Sequence, residues 1–590
     1  MSELKPILPS EKPAPVSAIL EEQAGMQEAA PKAQLVNVKY MNILPDQKTS
    51  GYTEQQKAQF TIPSDIGYID PKQSYLNVVV RPTSTFASSA TTGLTGYTTY
   101  PCCLPPNMGA HALFNRVQLQ SADGKTIEDI DAYNLWVSLL KSYSHDDDEL
   151  ATLSKIEGVS AHNNLPEARD FGNGAVNTFL PPLAPDVSGT LDTAITQYTG
   201  HAFQIPLHLG SWCGLEKSKH VVYPNLNIGG SLLTLFFDRA THVLQDLASA
   251  FTPPVDEAAE QPYYTYVSAQ TPVDCSDISG VVTIDHVLIA ANVCDTTNTL
   301  FEVTKLVYQP GVIVGIKIGT NVIEYRVVSS VEINQGDGLN QVKVNLSTGI
   351  PYSGVTTPVT IQVAPPAHSY TIDKLELKVL ETMPDAGTMN RIAKQMAGEG
   401  MTFSSVTCNK LSTPAQLQNA VVNIPNAFTR AQSILAVPVQ SANMYVTTDA
   451  NSYIYPQVDA NNQYTYQFQV SDTLIPNREI QTDTSINARC DNVIHFNMLV
   501  QAFRPIFTLK SFNQGLWSVG RGAERVLTNP FCYPLPLAPS GGTYNTLNTE
   551  LQLRQENYSA ADTTSKLYHV FTLHTRSLQT PMSSPPVVLI

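Results

Sequence analysis

A chain of 590 residues is too long for one hydrophobic core, since domains usually run to about 100–200 residues, so two large domains or two with an insertion are expected. Hydrophobic residues at 42% exclude a disordered chain, and charged residues at only 15%, against roughly 25% in typical soluble domains, point to a surface hidden against partners. With 35 basic and 51 acidic residues (net charge −16) and no basic run, coating a nucleic acid directly is excluded for the bulk of the protein.

In chain order, residues 1–33 are rich in Pro, Ala and Glu and carry no strand pattern. They read as a flexible N-terminal arm, in which 16–29 (VSAILEEQAGMQEA) becomes an amphipathic helix once docked. The arm has no apolar h-region, so no secretory signal is expected. The longest apolar stretch, 231–237, is far short of the ~18 residues a membrane span needs, so a soluble chain made in the cytosol is expected.

From residue 34 onward, Pro, Gly, Ser, Thr and Asn punctuate short apolar runs, the pattern of β-sandwiches. Strands are expected at 75–81 (YLNVVVR), 116–120 (RVQLQ), 203–209 (FQIPLHL), 231–237, 370–380, 464–470 (YTYQFQV) and 566–578. Helices are few and short: 132–143 (AYNLWVSLLKSY), 388–397 (TMNRIAKQMA) and 489–501 (RCDNVIHFNMLVQ).

The order of these pieces repeats. A hairpin at 116–127, turning through Ser121-Ala122-Asp123-Gly124, leads into the 132–143 helix, and a hairpin at 464–480 leads into the 489–501 helix. A Pro-Leu strand follows in each half, 203–210 and 531–538, then the pairs 231–237 with 550–554 and 370–380 with 566–578. The repeat is lopsided. Residues 253–366 intervene in the first half and carry strands of their own at 281–289, 311–318, 322–330 and 341–346, too long for a structureless loop.

The hairpin, helix, Pro-Leu strand and closing strands, repeated once, resemble the double-jelly-roll viral major capsid proteins of the bacteriophage–adenovirus lineage, with polinton-like viruses and virophages nearest. The residues that carry the resemblance are 464–480 with Leu474-Ile475-Pro476, 203–210 with Pro206-Leu207, and 423–438 (NIPNAFTRAQSILAVP). The fold expected is mainly β: two tandem eight-stranded jelly-roll sandwiches with a β-rich insertion in the first. The expected organisation is an arm at 1–33, a first roll at 34–380 with an inserted surface β-domain at 253–366, a linker helix at 381–400, a second roll at 401–580 and a tail at 581–590.

The resemblance implies a structural role in the virion of a DNA virus. Hexon-like homotrimers would fill pseudo-hexagonal positions in an icosahedral shell and contact neighbouring capsomers. Penton and minor capsid proteins would be met through the arm and the Pro-rich tail, which could serve as an extended strap on a neighbour. Two alternatives stay open: a carbohydrate-binding spike or other receptor-binding β-sandwich of a virion, and a hydrolase built on a β-sandwich.

Chemistry-bearing patterns are scarce, so no catalytic, cofactor-binding or metal residue is nominated, and neither an enzyme nor a cofactor is expected. No phosphate loop, dinucleotide fingerprint or nucleophile elbow occurs. The eight cysteines, including adjacent Cys102 and Cys103, never form C-x-x-C, and they suit a reducing compartment. His569 and His574 share one strand but stand five residues apart, on opposite faces. Asp146-Asp147-Asp148-Glu149 offers oxygen ligands to a hard cation, yet without an internal Gly it reads better as a solvated loop. Arg521 and Arg525 suit a subunit contact or a salt bridge within one loop. Trp136, Trp212 and Trp517 are expected as core or interface anchors. Asn345-Leu346-Ser347 fits the glycosylation pattern but should not meet that machinery in the cytosol.

Overall fold

The computed structural model describes the chain in stretches between residues 37 and 589, with breaks. The main ones are 37–47, 51–64, 68–85, 102–105, 108–145, 156–159, 178–179, 201–213, 230–246, 265–268, 282–289, 313–318, 324–334, 341–352, 359–363, 367–383, 401–413, 419–425, 427–440, 464–481, 486–506, 532–538, 542–557, 566–579 and 587–589. Within them the protein is built from antiparallel sheets with few helices: two equivalent two-sheet sandwiches, a separate six-stranded sheet and a small three-stranded sheet of two-residue strands.

The first sandwich uses β1 (Asn37–Ile43), β2 (Lys57–Ile62), β3 (Tyr68–Thr85), β4 (Phe114–Ser121), β5 (Thr126–Asp131), β6 (His201–Ile205) and β7 (Ser231–Phe237). Six strands follow in sequence before its eighth member: β8 (Thr265–Ser268), β9 (Val282–Ile289), β10 (Ile313–Ile318), β11 (Glu324–Asn334), β12 (Gln341–Tyr352) and β13 (Val359–Val363). The eighth strand, β14 (Ala367–Met383), then returns to the sandwich. One sheet runs β1-β14-β3 with β6 on the far side of β3, and the other runs β2-β7-β4-β5.

The second sandwich uses β15 (Met401–Thr413), β16 (Asn419–Asn423), β17 (Ala431–Gln440), β18 (Tyr464–Val470), β19 (Thr473–Gln481), β20 (Tyr533–Pro536), β21 (Leu551–Asn557) and β22 (Lys566–Gln579). Its sheets run β15-β22-β17-β20 and β16-β21-β18-β19. Numbered by rank within each sandwich, both have the same order, 1-8-3-6 over 2-7-4-5. In that order the first strand pairs with the last at one edge of a sheet, and consecutive strands alternate between layers except for the hairpin of the fourth and fifth, which defines a jelly roll. Each roll also places its main helix directly after its fifth strand: α1 (Tyr133–Ser144) and α2 (Ile486–Phe503).

Local chemistry explains these elements. In β3, Leu76, Val78 and Val80 are buried while Asn77 and Val79 are partly exposed, the period-two signature of a strand with one face on a core. Opposite them lie Leu377, Leu375 and Ile372 of β14. By contrast β7 (SLLTLFF), between β2 and β4, is apolar almost throughout, and both of its faces are buried or half-buried. The β4–β5 turn needs a left-handed residue at Gly124 (φ 82°), and Ser121 Oγ accepts from the Lys125 amide. In α1, Tyr133, Leu135, Trp136, Val137 and Leu139 are all buried, so the helix is enclosed rather than laid on a surface.

The expected strands 116–120, 231–237 and 464–470 and the helices 132–143 and 489–501 coincide with observed elements to within a few residues. The described residues between 386 and 398, including Asn390 and Lys394, are helical. The six strands that intervene before β14 form one sheet, in the order β8-β13-β10-β11-β12-β9. The tail contributes a short strand, β23 (Val587–Leu589), which pairs with Ser577–Gln579 of β22 in its own chain. No helix among the described residues is long and apolar enough to cross a membrane.

Candidate functional site: the junction of the rolls, their exposed edges and a buried polar cluster

Three regions combine specific geometry with chemistry that packing alone does not require. The first is the junction between the rolls. Glu128 of β5 is fully buried, and its carboxylate accepts from the Gly210 and Ser211 amides (2.9 and 2.8 Å) and from Ser211 Oγ (2.6 Å). It accepts a fourth bond, from Ser405 Oγ of β15 in the second roll (3.1 Å). A buried carboxylate is tolerable when its lone pairs are filled in this way.

Around it, Arg576 of β22 donates to the Ile127 carbonyl (2.8 Å), and Lys410 of β15 pairs with Asp131 (3.1 Å). Trp136 packs on Phe571 and Tyr143 on Phe503, with ring centroids 5.6 and 5.2 Å apart. A Cβ on Gly210 would stand 1.7 Å from the Ser404 carbonyl oxygen, so the backbones of the two rolls touch there. Together these contacts fix one roll against the other.

The second region is the exposed apolar edge. Strand β1 pairs with β14 and has no second neighbour among the described strands. It turns Ile43 inward and leaves Val38 and Tyr40 half exposed (50% and 55%). Val421 on β16, an edge strand of the second roll, is similarly exposed, as are Val493 on α2 and Leu547.

The third region is a buried polar cluster in the first roll. His111 comes from the 3-10 turn Gly109–Leu113, Glu157 from the turn at 156–159, His208 from the segment after β6, and Lys141 from α1. Glu157 Oε2 lies 2.9 Å from His111 Nε2 and 2.8 Å from Lys141 Nζ. Ligand atoms of His111, Glu157 and His208 all lie within 4.8 Å of one another. Burial alone would raise the Glu157 carboxyl, but Lys141 and the His111 hydrogen bond outweigh it and hold the group well below the usual carboxylate range. Burial, with Lys141 nearby, pushes His111 and His208 down, so both imidazoles are neutral.

Other buried titratable groups lie in the second roll. His495 accepts from Tyr466 Oη at Nδ1 (2.7 Å) and donates from Nε2 to the Cys532 carbonyl (3.0 Å), an arrangement that requires the neutral Nε2–H tautomer. Burial lowers its pKa to about 3, and those of His569 and His574 to about 3 as well. Burial pushes the Cys408 and Cys532 thiols up, so neither is a nucleophile.

The residues singled out from sequence scatter rather than converge. Trp136 and Trp212 are buried, as expected of core anchors, and His569 and His574 are both buried on β22. Cys102 and Cys103 form a short strand paired with Gln245–Asp246 and Thr178–Phe179. Asn345 sits on β12 and donates to Ser330 Oγ (2.8 Å). Asp146, Asp147 and Asp148, Arg521, Arg525 and Trp517 lie outside the described residues. Sequence reading missed Glu128, His111, Glu157 and His208. The one local signal was a charge, Lys141, inside an otherwise uncharged and largely buried helix.

No protein-family model and no curated protein matches the chain. Among solved structures it is similar to the cryo-electron-microscopy structure of the Sputnik virophage, at 10% identity and TM-score 0.46, covering 99% of this chain and 93% of that one. It is similar to the Faustovirus major capsid protein at 10% identity and TM-score 0.45, covering 91% and 90%. It is also similar to the mavirus major capsid protein at 8% identity and TM-score 0.34, covering 100% and 97%.

Proposed function

We propose that this chain is a structural subunit of a virion, a double-jelly-roll major capsid protein whose trimers form pseudo-hexagonal capsomers in an icosahedral shell. The observation that carries the reading is the duplicated strand order, 1-8-3-6 over 2-7-4-5, in two rolls locked together through Glu128. Two rolls fixed in one chain make three chains equivalent to six rolls, which suits a hexagonal position with only three-fold symmetry. Stiff sandwiches with exposed apolar edges suit lateral packing, where each edge is covered by a neighbour.

In this reading residues 34–380 form the first roll, with 253–366 as a surface β-domain, 381–400 link the rolls, and 401–580 form the second. The arm at 1–33 reaches neighbouring capsomers, penton and minor capsid proteins, while the tail ends on its own chain, where Val587–Leu589 pair with β22. Low charge and an acidic balance fit a shell that encloses a genome without gripping it. The role requires no catalysis and no cofactor.

Light scattering on the purified full chain tests the reading. A mass of three chains is expected, and a strict monomer at high concentration would overturn it.

A further inference from the structure

We propose that His111, Glu157 and His208 form a zinc site that ties three separate segments of the first roll together, with Lys141 as the cation that zinc displaces. Two imidazoles and one carboxylate are a donor set suited to Zn²⁺, whereas Ca²⁺ and Mg²⁺ take oxygen ligands. Ligands around tetrahedral zinc stand roughly 3.3 Å apart for metal–ligand bonds of about 2.0–2.1 Å. Atoms already within 4.8 Å of one another reach that spacing by small side-chain rotations.

The three segments are held in place independently of the proposed ligand side chains. The Ala110 amide donates to the Glu157 carbonyl (2.8 Å), Gln204 N to the Ile156 carbonyl (3.0 Å), and His208 N to Tyr133 Oη (2.8 Å). Gly109, at φ 54°, permits this approach, since a Cβ there would lie 2.4 Å from the Glu157 carbonyl oxygen.

His208 also has coordinating capacity that the protein does not use. Its Nε2 is buried and meets no hydrogen-bond partner among the described residues. A buried ring nitrogen without a partner is costly, and coordination is one way to satisfy it. Lys141 Nζ, 2.8 Å from Glu157 Oε2, sets the competition, because zinc reaching that carboxylate must move the ammonium aside. The site therefore holds an ammonium or a metal ion on Glu157.

The test uses untagged full-length protein, stripped with a chelator and titrated with Zn²⁺ by calorimetry and with Co²⁺ by absorption. One equivalent per chain is expected, with visible Co²⁺ bands of a four- or five-coordinate site and a higher melting temperature with zinc. His208→Ala should weaken binding by more than about tenfold, at least the effect of losing an outer partner of a metal ligand. Lys141→Met should tighten it. The Co²⁺ spectrum of the unsubstituted protein decides the matter whether or not the variants fold. No bands and no bound zinc would overturn the proposal, as would binding in Lys141→Met alone, which would make Lys141 the permanent counter-ion. Binding unaffected by a folded His208→Ala protein would overturn it too.

Discussion

Ser405, on the first strand of the second roll, donates its hydroxyl to the carboxylate of Glu128, on the fifth strand of the first, at 3.1 Å. That carboxylate already serves three donors from Gly210 and Ser211. One buried group therefore closes a loop in the first roll and joins that roll to the second.

Glu128→Ala should destabilise the protein by about 3–5 kcal/mol, because it leaves several buried donors without an acceptor. Glu128→Gln, which keeps the shape and one carbonyl oxygen, should lose less. Urea unfolding followed by fluorescence measures both, and a loss under about 1 kcal/mol for the alanine variant would remove Glu128 from the junction.

Gly210→Ala tests the same junction through shape alone. The new methyl would stand 1.7 Å from a backbone oxygen of the other roll, so backbone rather than a flexible side chain must move. A loss of about 1–3 kcal/mol or more is expected, with altered packing of Trp136 on Phe571 visible in near-ultraviolet circular dichroism. Unchanged stability would show that the rolls do not touch at this point.

Acid should weaken the fold through His495, His569 and His574, whose folded pKa values near 3 lie below the unfolded value of about 6.5. Between those values the unfolded chain binds protons that the folded chain refuses. The stability from these groups is therefore complete above about pH 6.5 and is lost as pH falls toward 3. The slope is about 1.4 kcal/mol per pH unit for each histidine, or roughly 4 for all three together. Melting temperatures across this range should fall steeply, and less steeply in His569→Gln; a flat profile would contradict the buried neutral rings.

Val38→Lys and Tyr40→Lys place charges on the open edge of β1. Both side chains are half exposed in the single chain, so folding stability should stay within about 0.5 kcal/mol. If the edge is an assembly surface, the trimer should dissociate at a higher protein concentration than the unsubstituted one. Unchanged dissociation in the double variant would assign that edge to solvent.

Much of the second half of each roll was legible in the sequence, because its strands carry strong local signals. The hairpin at Gly124, the second roll's Pro-Leu strand and the apolar run 231–237 each announce themselves within ten residues, whereas the strand expected at 203–209 ends at Ile205, before Pro206, which has no N–H to donate to a ladder. The opening strands were not: β1 (NVKYMNI) is an edge strand with apolar groups on both faces, so its alternation is blurred. The pairing of β23 with β22 in its own chain leaves no mark in the sequence, since three residues show no period.

The junction and the histidine cluster were illegible for a different reason. Glu128 meets Ser405 across 277 positions, and His111 meets Glu157 across 46. Single residues that far apart leave no spacing for a motif to show. A lone charged lysine in the otherwise uncharged, largely buried run NLWVSLLKSY is the sort of local conflict that marks a hidden partner, and Glu157 is that partner.

Electron microscopy of the assembled chain should show closed shells tiled by capsomers with six lobes and three-fold symmetry, two lobes from each chain. Well-dispersed single particles with two lobes and no lattice, at concentrations where the protein is abundant, would contradict the capsid role.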